Sequence, residues 1–147
     1  MPKEKGYSVY SLKDCKVVFN NPKVGKCVVS DEGGGRIVIS YAGDLSSHTT
    51  TATGYVVVNK LYSENGSITL ELPQNSPADE YMRKLIKYIQ GAATGEFALT
   101  KMTLNDQAAQ RTITATGLTP QKWPDENYDQ TSGTRNYVFL AATISNT

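Results

Sequence analysis

One histidine, two cysteines and the carboxylate pairs Asp79/Glu80 and Asp125/Glu126 are the groups from which this 147-residue chain would have to build a reactive centre. Serine–histidine–carboxylate chemistry rests wholly on His48, which lies in a Ser/Thr-rich stretch with no carboxylate or cysteine at a suggestive spacing. A solvated histidine is the plainer reading. Cys15, Cys27 and one histidine match no structural zinc pattern. In an intracellular chain two such thiols are expected reduced and packed as small hydrophobes, although the spacing leaves pairing open. Glycosidase chemistry needs two carboxylates facing across a cleft. Asp79/Glu80 instead fall in the first turn of a predicted helix, where the dipole favours acids, and Asp125/Glu126 fall in a polar loop. Gly33-Gly34-Gly35-Arg36 lacks the helix and the Lys-Ser/Thr pair of a phosphate loop and runs into a β-branched segment. Trp123, Tyr128 and Tyr137 suit either a ligand-stacking platform or the capping of a core. Thr112, Thr114 and Thr116 suit either a binding ladder or a solvated face. The expectation is no catalytic residue, no cofactor and no metal.

The elements around these groups centre on Gly66 to Gln90. Ile68, Leu70 and Leu72 alternate with Ser67, Thr69 and Glu71, the period of a half-buried strand. Pro73 ends it. Ser76 stands at an N-cap position with Pro77 at the first helical position, and Asp79 completes a capping-box spacing. Met82, Leu85, Ile86 and Ile89 form one apolar stripe on a helix over 77–90, closed by Gly91 as a C′ glycine. A helix of this length is marginal alone, so the stripe is expected to pack on a sheet.

The rest reads as strands. Residues 1–6 are polar and expected to be loose. Strands are expected from Cys15 through Phe19, at Lys26–Ser30 and at Arg36–Tyr41, with Asn20-Asn21-Pro22 a turn and 31–35 a loop. Gly43, Asp44, Leu45, Ser46, Ser47, His48, Thr49, Thr50 and Thr51, running on to Gly54, read as a long polar loop of the functional kind. Tyr55–Tyr62 is strongly β-forming, and Asn65-Gly66 predicts a hairpin pairing it with Gly66–Leu72. Strands at Glu96–Leu104, Arg111–Gly117 and Asn136–Ser145 follow, with Gln121–Arg135 a second long loop. The sum is one mainly β domain over 1–147, a sandwich or barrel of about eight strands with one flanking helix. Fifteen basic against fourteen acidic side chains leave a formal charge of +1, without the basic face that captures nucleic acid. No signal peptide and no membrane anchor is visible, so the protein is expected to be soluble and to stay where it is made.

Taken in order, these segments resemble the tail tube proteins of tailed bacteriophages. The shared features are Gly66, Ile68, Thr69 and Leu70, then Ser76-Pro77 with Met82 and Leu85. Towards the end come Trp123-Pro124-Asp125, Tyr128, Gly133 and the strand Tyr137-Val138-Phe139. The resemblance covers the chain from about Tyr55 onward and, more weakly, the first strand. Two positions depart from it: Asp79 stands where Asn is common and Tyr137 where Trp is common. Neither departure is expected to disturb the fold.

The resemblance implies a sandwich-like subunit with a flanking helix that closes into hexameric rings. The rings stack into a hollow tube through which double-stranded DNA passes without specific binding. It implies a virion tail component assembled in the host cytoplasm, with sheath, baseplate and tail terminator proteins as partners. Within that picture 43–54 is the candidate inter-ring loop, and Ser67, Thr69, Glu71, Thr112, Thr114 and Thr116 are candidate lumen residues on polarity alone. A carbohydrate- or protein-binding sandwich, marked by a pocket of Trp123 and Tyr128, is the alternative. So is the inner tube of a related injection machine.

Overall fold

The computed structural model describes residues 3–4, 7–8, 14–29 and 35–146. Along them run β1 (Lys3–Glu4), β2 (Tyr7–Ser8), β3 (Cys15–Asn21), β4 (Gly25–Val28), β5 (Arg36–Tyr41), β6 (Ser46–Thr50), β7 (Val56–Lys60), β8 (Gly66–Pro73), α1 (Pro77–Gln90), β9 (Thr100–Asp106), β10 (Arg111–Pro120), β11 (Thr134–Ala141) and β12 (Thr143–Asn146). Residues 31–34 of the expected loop 31–35 and most of the loose segment expected at 1–6 lie outside the described residues; Lys3–Glu4 pairs with Tyr7–Ser8.

The fold is mainly β, and its main sheet runs β4-β3-β9-β10-β11-β8-β5, with β12 also on β10. It bends into two layers at β10. The first half of β10 pairs with β9 and β12, while Thr119 and Pro120 pair with β11. The register with β9 breaks between Ala115 and Leu118, around Gly117 at φ +67°. A side chain there would be strained by that φ, and its Cβ would lie 2.7 Å from the Cβ of Ala142. Ala142 is where the chain passes from β11 to β12, and its N–H donates to the Thr116 carbonyl at 3.1 Å.

Alternate residues of each layer face the core. Ile68, Leu70 and Leu72 of β8 join Tyr137 and Phe139 of β11 and Val17 and Phe19 of β3. Phe19 and Phe139 meet with ring centroids 5.7 Å apart. Helix α1 begins as its sequence dictates: the Ser76 side chain accepts the Asp79 N–H at 3.2 Å, and Pro77 follows it. Met82, Leu85, Ile86 and Ile89 are buried in the same core as Leu70 and Met102, where each side chain contributes about 1.5–3 kcal/mol. The helix lies against β4 and β8, and the Tyr81 hydroxyl donates to the Gly25 carbonyl at 2.6 Å. Gly91 ends the helix at φ −95°, so the expected left-handed C′ glycine does not form.

Five further expectations are corrected. Tyr55–Tyr62 does not pair with β8: β7 pairs with β6, while β8 lies between β5 and β11. Asn65-Gly66 forms no tight turn, because Gly66 stands opposite Tyr41 and closes the β5–β8 ladder instead. The expected loop 43–54 therefore contains a strand, Ser46–Thr50, one side of a hairpin inserted into the β5–β8 connection. Residues 94–96 form a 3₁₀ turn, and β9 starts at Thr100 rather than Glu96. The last strand is split by the crossing at Ala142.

Candidate assembly surfaces

The inserted hairpin, 43–64, forms an arm. Its base is sewn to the body by Ala42 N–H to Asn65 O at 3.1 Å and Ile144 N–H to Glu64 O at 2.7 Å. Ser46 opposes Lys60, His48 opposes Val58 and Thr50 opposes Val56. The Asn59 side-chain amide donates to Ser47 Oγ and Thr49 Oγ1 at 3.2 and 3.0 Å. None of the arm's side chains joins the core. Leu45, Tyr55 and Tyr62 are 77%, 71% and 86% exposed, and Val56, Val57, Val58 and Leu61 are also exposed. A lone two-stranded hairpin is marginal in water, and a contiguous exposed apolar surface marks an interaction site. His48 sits exposed among these residues. The signal for a strand at 46–50 lay in Thr49 and Thr50, which are β-branched, placed before Gly54 and the Val56-Val57-Val58 run.

The six polar residues singled out from the sequence do not form one surface. Ser67, Thr69 and Glu71 lie on the outer face of β5-β8-β11. There the registers give the rows Arg36/Glu71/Asn136, Val38/Thr69/Val138 and Ser40/Ser67/Leu140. Thr112, Thr114 and Thr116 lie on the outer face of the other layer, with Asn105, Thr103 and Thr143. That second face also carries Lys16, Lys26 and Lys101. The first face balances one cation against one anion; the second bears three lysines and no carboxylate at the registered positions.

One carboxylate of each pair, Asp79 and Glu126, is drawn to one arginine. Arg135 and Asp79 are fully buried and form an ion pair through a guanidinium N–H and Asp79 Oδ2. Tyr137 donates its hydroxyl to Asp79 Oδ1 at 2.6 Å, and the Asn75 N–H reaches Oδ2 at 3.2 Å. Glu126 stands 3.5 Å from the other arginine nitrogen, and Tyr128 OH is equally near. Burial pushes the Tyr137 phenol up, and its bond to Asp79 adds to that. Burial works against the Arg135 charge, but neighbouring Asp79 leaves its pKa raised. The Nε of Arg135 is buried without a partner. Sequence reading missed this cluster because its members are 56 residues apart. The two positions that depart from the tail tube pattern, Asp79 and Tyr137, are hydrogen-bonded to each other.

Trp123 and Tyr128 face different neighbours. Trp123 lines a cavity with Asp125 and Asn136, whereas Tyr128 turns its hydroxyl to Arg135. Tyr137 is fully buried. Cys15 and Cys27 form no disulfide with each other. Among the described residues, no three His, Cys, Asp or Glu side chains gather as metal ligands. No described helix is long and apolar enough to cross a membrane.

The chain superposes on a protein of the sheath-tube complex of the extracellular contractile injection system PVC, in its extended state. The TM-score is 0.62 at 12% identity over 95% of this chain and 91% of that one. It is similar to a chain of the PVC sheath/tube terminator (TM-score 0.59, 11% identity, 97% of this chain and 99% of that one). It is also similar to a chain of the anti-feeding prophage tube-terminating cap (TM-score 0.59, 11% identity, 100% of this chain and 95% of that one). No curated protein matches its sequence. The chain belongs to the bacteriophage PhiTE tail tube protein family, whose model matches residues 7–147.

Proposed function

We propose that this chain, as one domain, is the repeating subunit of a tail tube. It closes into hexameric rings, and the rings stack into a conduit for double-stranded DNA. The observation that carries the reading is the arm: a folded, apolar hairpin whose side chains stay outside the core of the described residues needs another subunit to cover it. Residues 43–51 and the facing strand β7 are the inter-ring contact. Ring closure by edge pairing would also occupy the open edge of β5.

The lumen is lined by the outer face of β5-β8-β11. Ser67, Thr69 and Glu71 suit a passage that must not hold phosphates, since Arg36 is offset by Glu71. Thr112, Thr114 and Thr116 share a face with three lysines, which would bind a nucleic acid backbone, so they look away from the lumen. Sheath, baseplate and terminator proteins are the partners of the assembled tail, which is built in the host cytoplasm and carried in the virion. Function resides in interfaces, without catalysis, metal or cofactor. The likeness to injection-system tubes supports a second reading, the inner tube of such a machine, with the same assembly and a different cargo.

Electron microscopy of the purified protein tests this reading. Rings or tubes are expected, and they should persist at moderate salt, because screening acts mainly on exposed charge pairs. Monodisperse monomers at every concentration would overturn it.

A further inference from the structure

We propose that the arm meets the next copy of this chain by one face only, that of His48, Val56 and Val58, and that this contact forms only while His48 is uncharged, so that acid releases one ring from the next. The inference rests on the inter-ring role given to the arm above. It adds the side that docks and the condition under which it docks.

The strand register sorts the arm's side chains into two faces. Ser46, His48 and Thr50 stand opposite Lys60, Val58 and Val56, while Ser47 and Thr49 stand opposite Asn59 and Val57 on the other side. The second face satisfies itself: the Asn59 amide donates to both Ser47 Oγ and Thr49 Oγ1. Covering that face gains little, since its polar groups are already paired. The first face has no such network. Its centre is Val58, 66% exposed, with Val56 beside it. Among the described residues, His48 takes part in none of the side-chain hydrogen bonds within the arm.

Charge sets the condition. From Leu45 to Ser63 the arm has no carboxylate, and its one permanent charge is Lys60. Asp44 and Glu64 stand at the root, outside the two strands. Only β7 pairs with β6, so the charged or titratable groups beside His48 are Lys60 and the Tyr62 phenol, whose ring lies 5.4 Å from the Lys60 ammonium. A protonated imidazole would be carried into an apolar contact with a second cation and no anion. Burying an unpaired charge is costly, and burial favours the uncharged form of a histidine. An imidazole ordinarily gains its proton as pH falls through about 6.5. The contact is therefore complete above that value and is lost below it. By linkage, one proton per subunit weakens it by up to about tenfold per pH unit, and each subunit of a ring adds the same loss.

His48 is the only histidine in the chain, so one substitution isolates it. The measurement is the lowest protein concentration that gives sedimenting tubes, at about pH 8 and at about pH 5.5, with microscopy to tell stacked tubes from single rings. For the wild type that concentration should rise at least about tenfold on acidification. For His48→Gln the two values should agree within about twofold, whatever their level. For His48→Arg the concentration should be high at both. Equal values for the wild type, the same acid loss in His48→Gln, or a His48→Arg chain that matches the wild type at the higher pH would overturn the proposal. So would a wild type strengthened by acid, since the next copy would then bring a carboxylate to His48, or a His48→Gln chain that assembles at no concentration. A wild type that forms no tubes at either pH defeats the tube reading and this inference with it, whereas tubes indifferent to pH defeat this inference alone.

Discussion

Helix α1 and the β6–β7 arm each carry a run of aliphatic side chains, and they dispose of them in opposite ways. Met82, Leu85, Ile86 and Ile89 are buried in the body, and the Asp79 carboxylate at the start of the helix also turns inward, onto Arg135. Val56, Val57, Val58, Leu45 and Leu61 stay in water, on a hairpin whose backbone is tied to the body only at its root. Composition alone does not separate these runs, since both are β-branched or aliphatic and both are flanked by polar residues. What separates them is whether the chain supplies a surface opposite. The helix region is complete within one subunit. On the reading proposed above, the arm is complete only between subunits, so substitutions in the two regions should fail in different assays.

The sharpest test of that contrast is Leu85→Asp. It places a carboxylate with no partner in a closed core, and the subunit should fail to fold, read as loss of a cooperative thermal transition. A soluble variant melting like the wild type would remove the helix from the core. Next in size is Arg135→Met. Removing one member of a buried pair strands the other charge and costs about 3–5 kcal/mol, measurable by urea denaturation of subunits. Adding Asp79→Asn should recover part of that loss, because the orphaned charge goes with it. If the double variant is as unstable as the sum of the singles, Asp79 and Arg135 are not coupled. The smallest effect on the subunit belongs to Val58→Asp on the arm. Its stability should stay within about 0.5 kcal/mol of the wild type, as for exposed sites generally. Stacking should nevertheless be lost under the microscope. Normal tubes from this variant would free the arm of any role in assembly.

The contrast also explains what could be read from the sequence. The β8–α1 unit was legible because its signals are local: a period of two, a proline stop, a serine cap and a helical stripe. The mainly β class followed from the same kind of evidence. The arm was misread because Asn65-Gly66 offered a strong local hairpin signal that a long-range ladder overrode: Gly66 pairs with Tyr41 and Ala141. The sorting of polar strand faces into two outer surfaces was equally out of reach, since it depends on the bend in β10. Asp79 and Tyr137 were noticed as separate departures and judged harmless one at a time. Only the fold places both against Arg135.

The corner at Gly117 has a mechanical consequence. Two passages between the layers, within β10 and from β11 to β12, occur at this spot, and the Ala142 N–H to Thr116 O bond clamps one to the other. The layers therefore cannot slide past each other as two independent plates can; a shearing load on either must first break that clamp and force Gly117 out of its rare backbone state. In the tube proposed above, a subunit braced in this way would act as a gusset, passing an axial push from one layer to the other with little loss of shape.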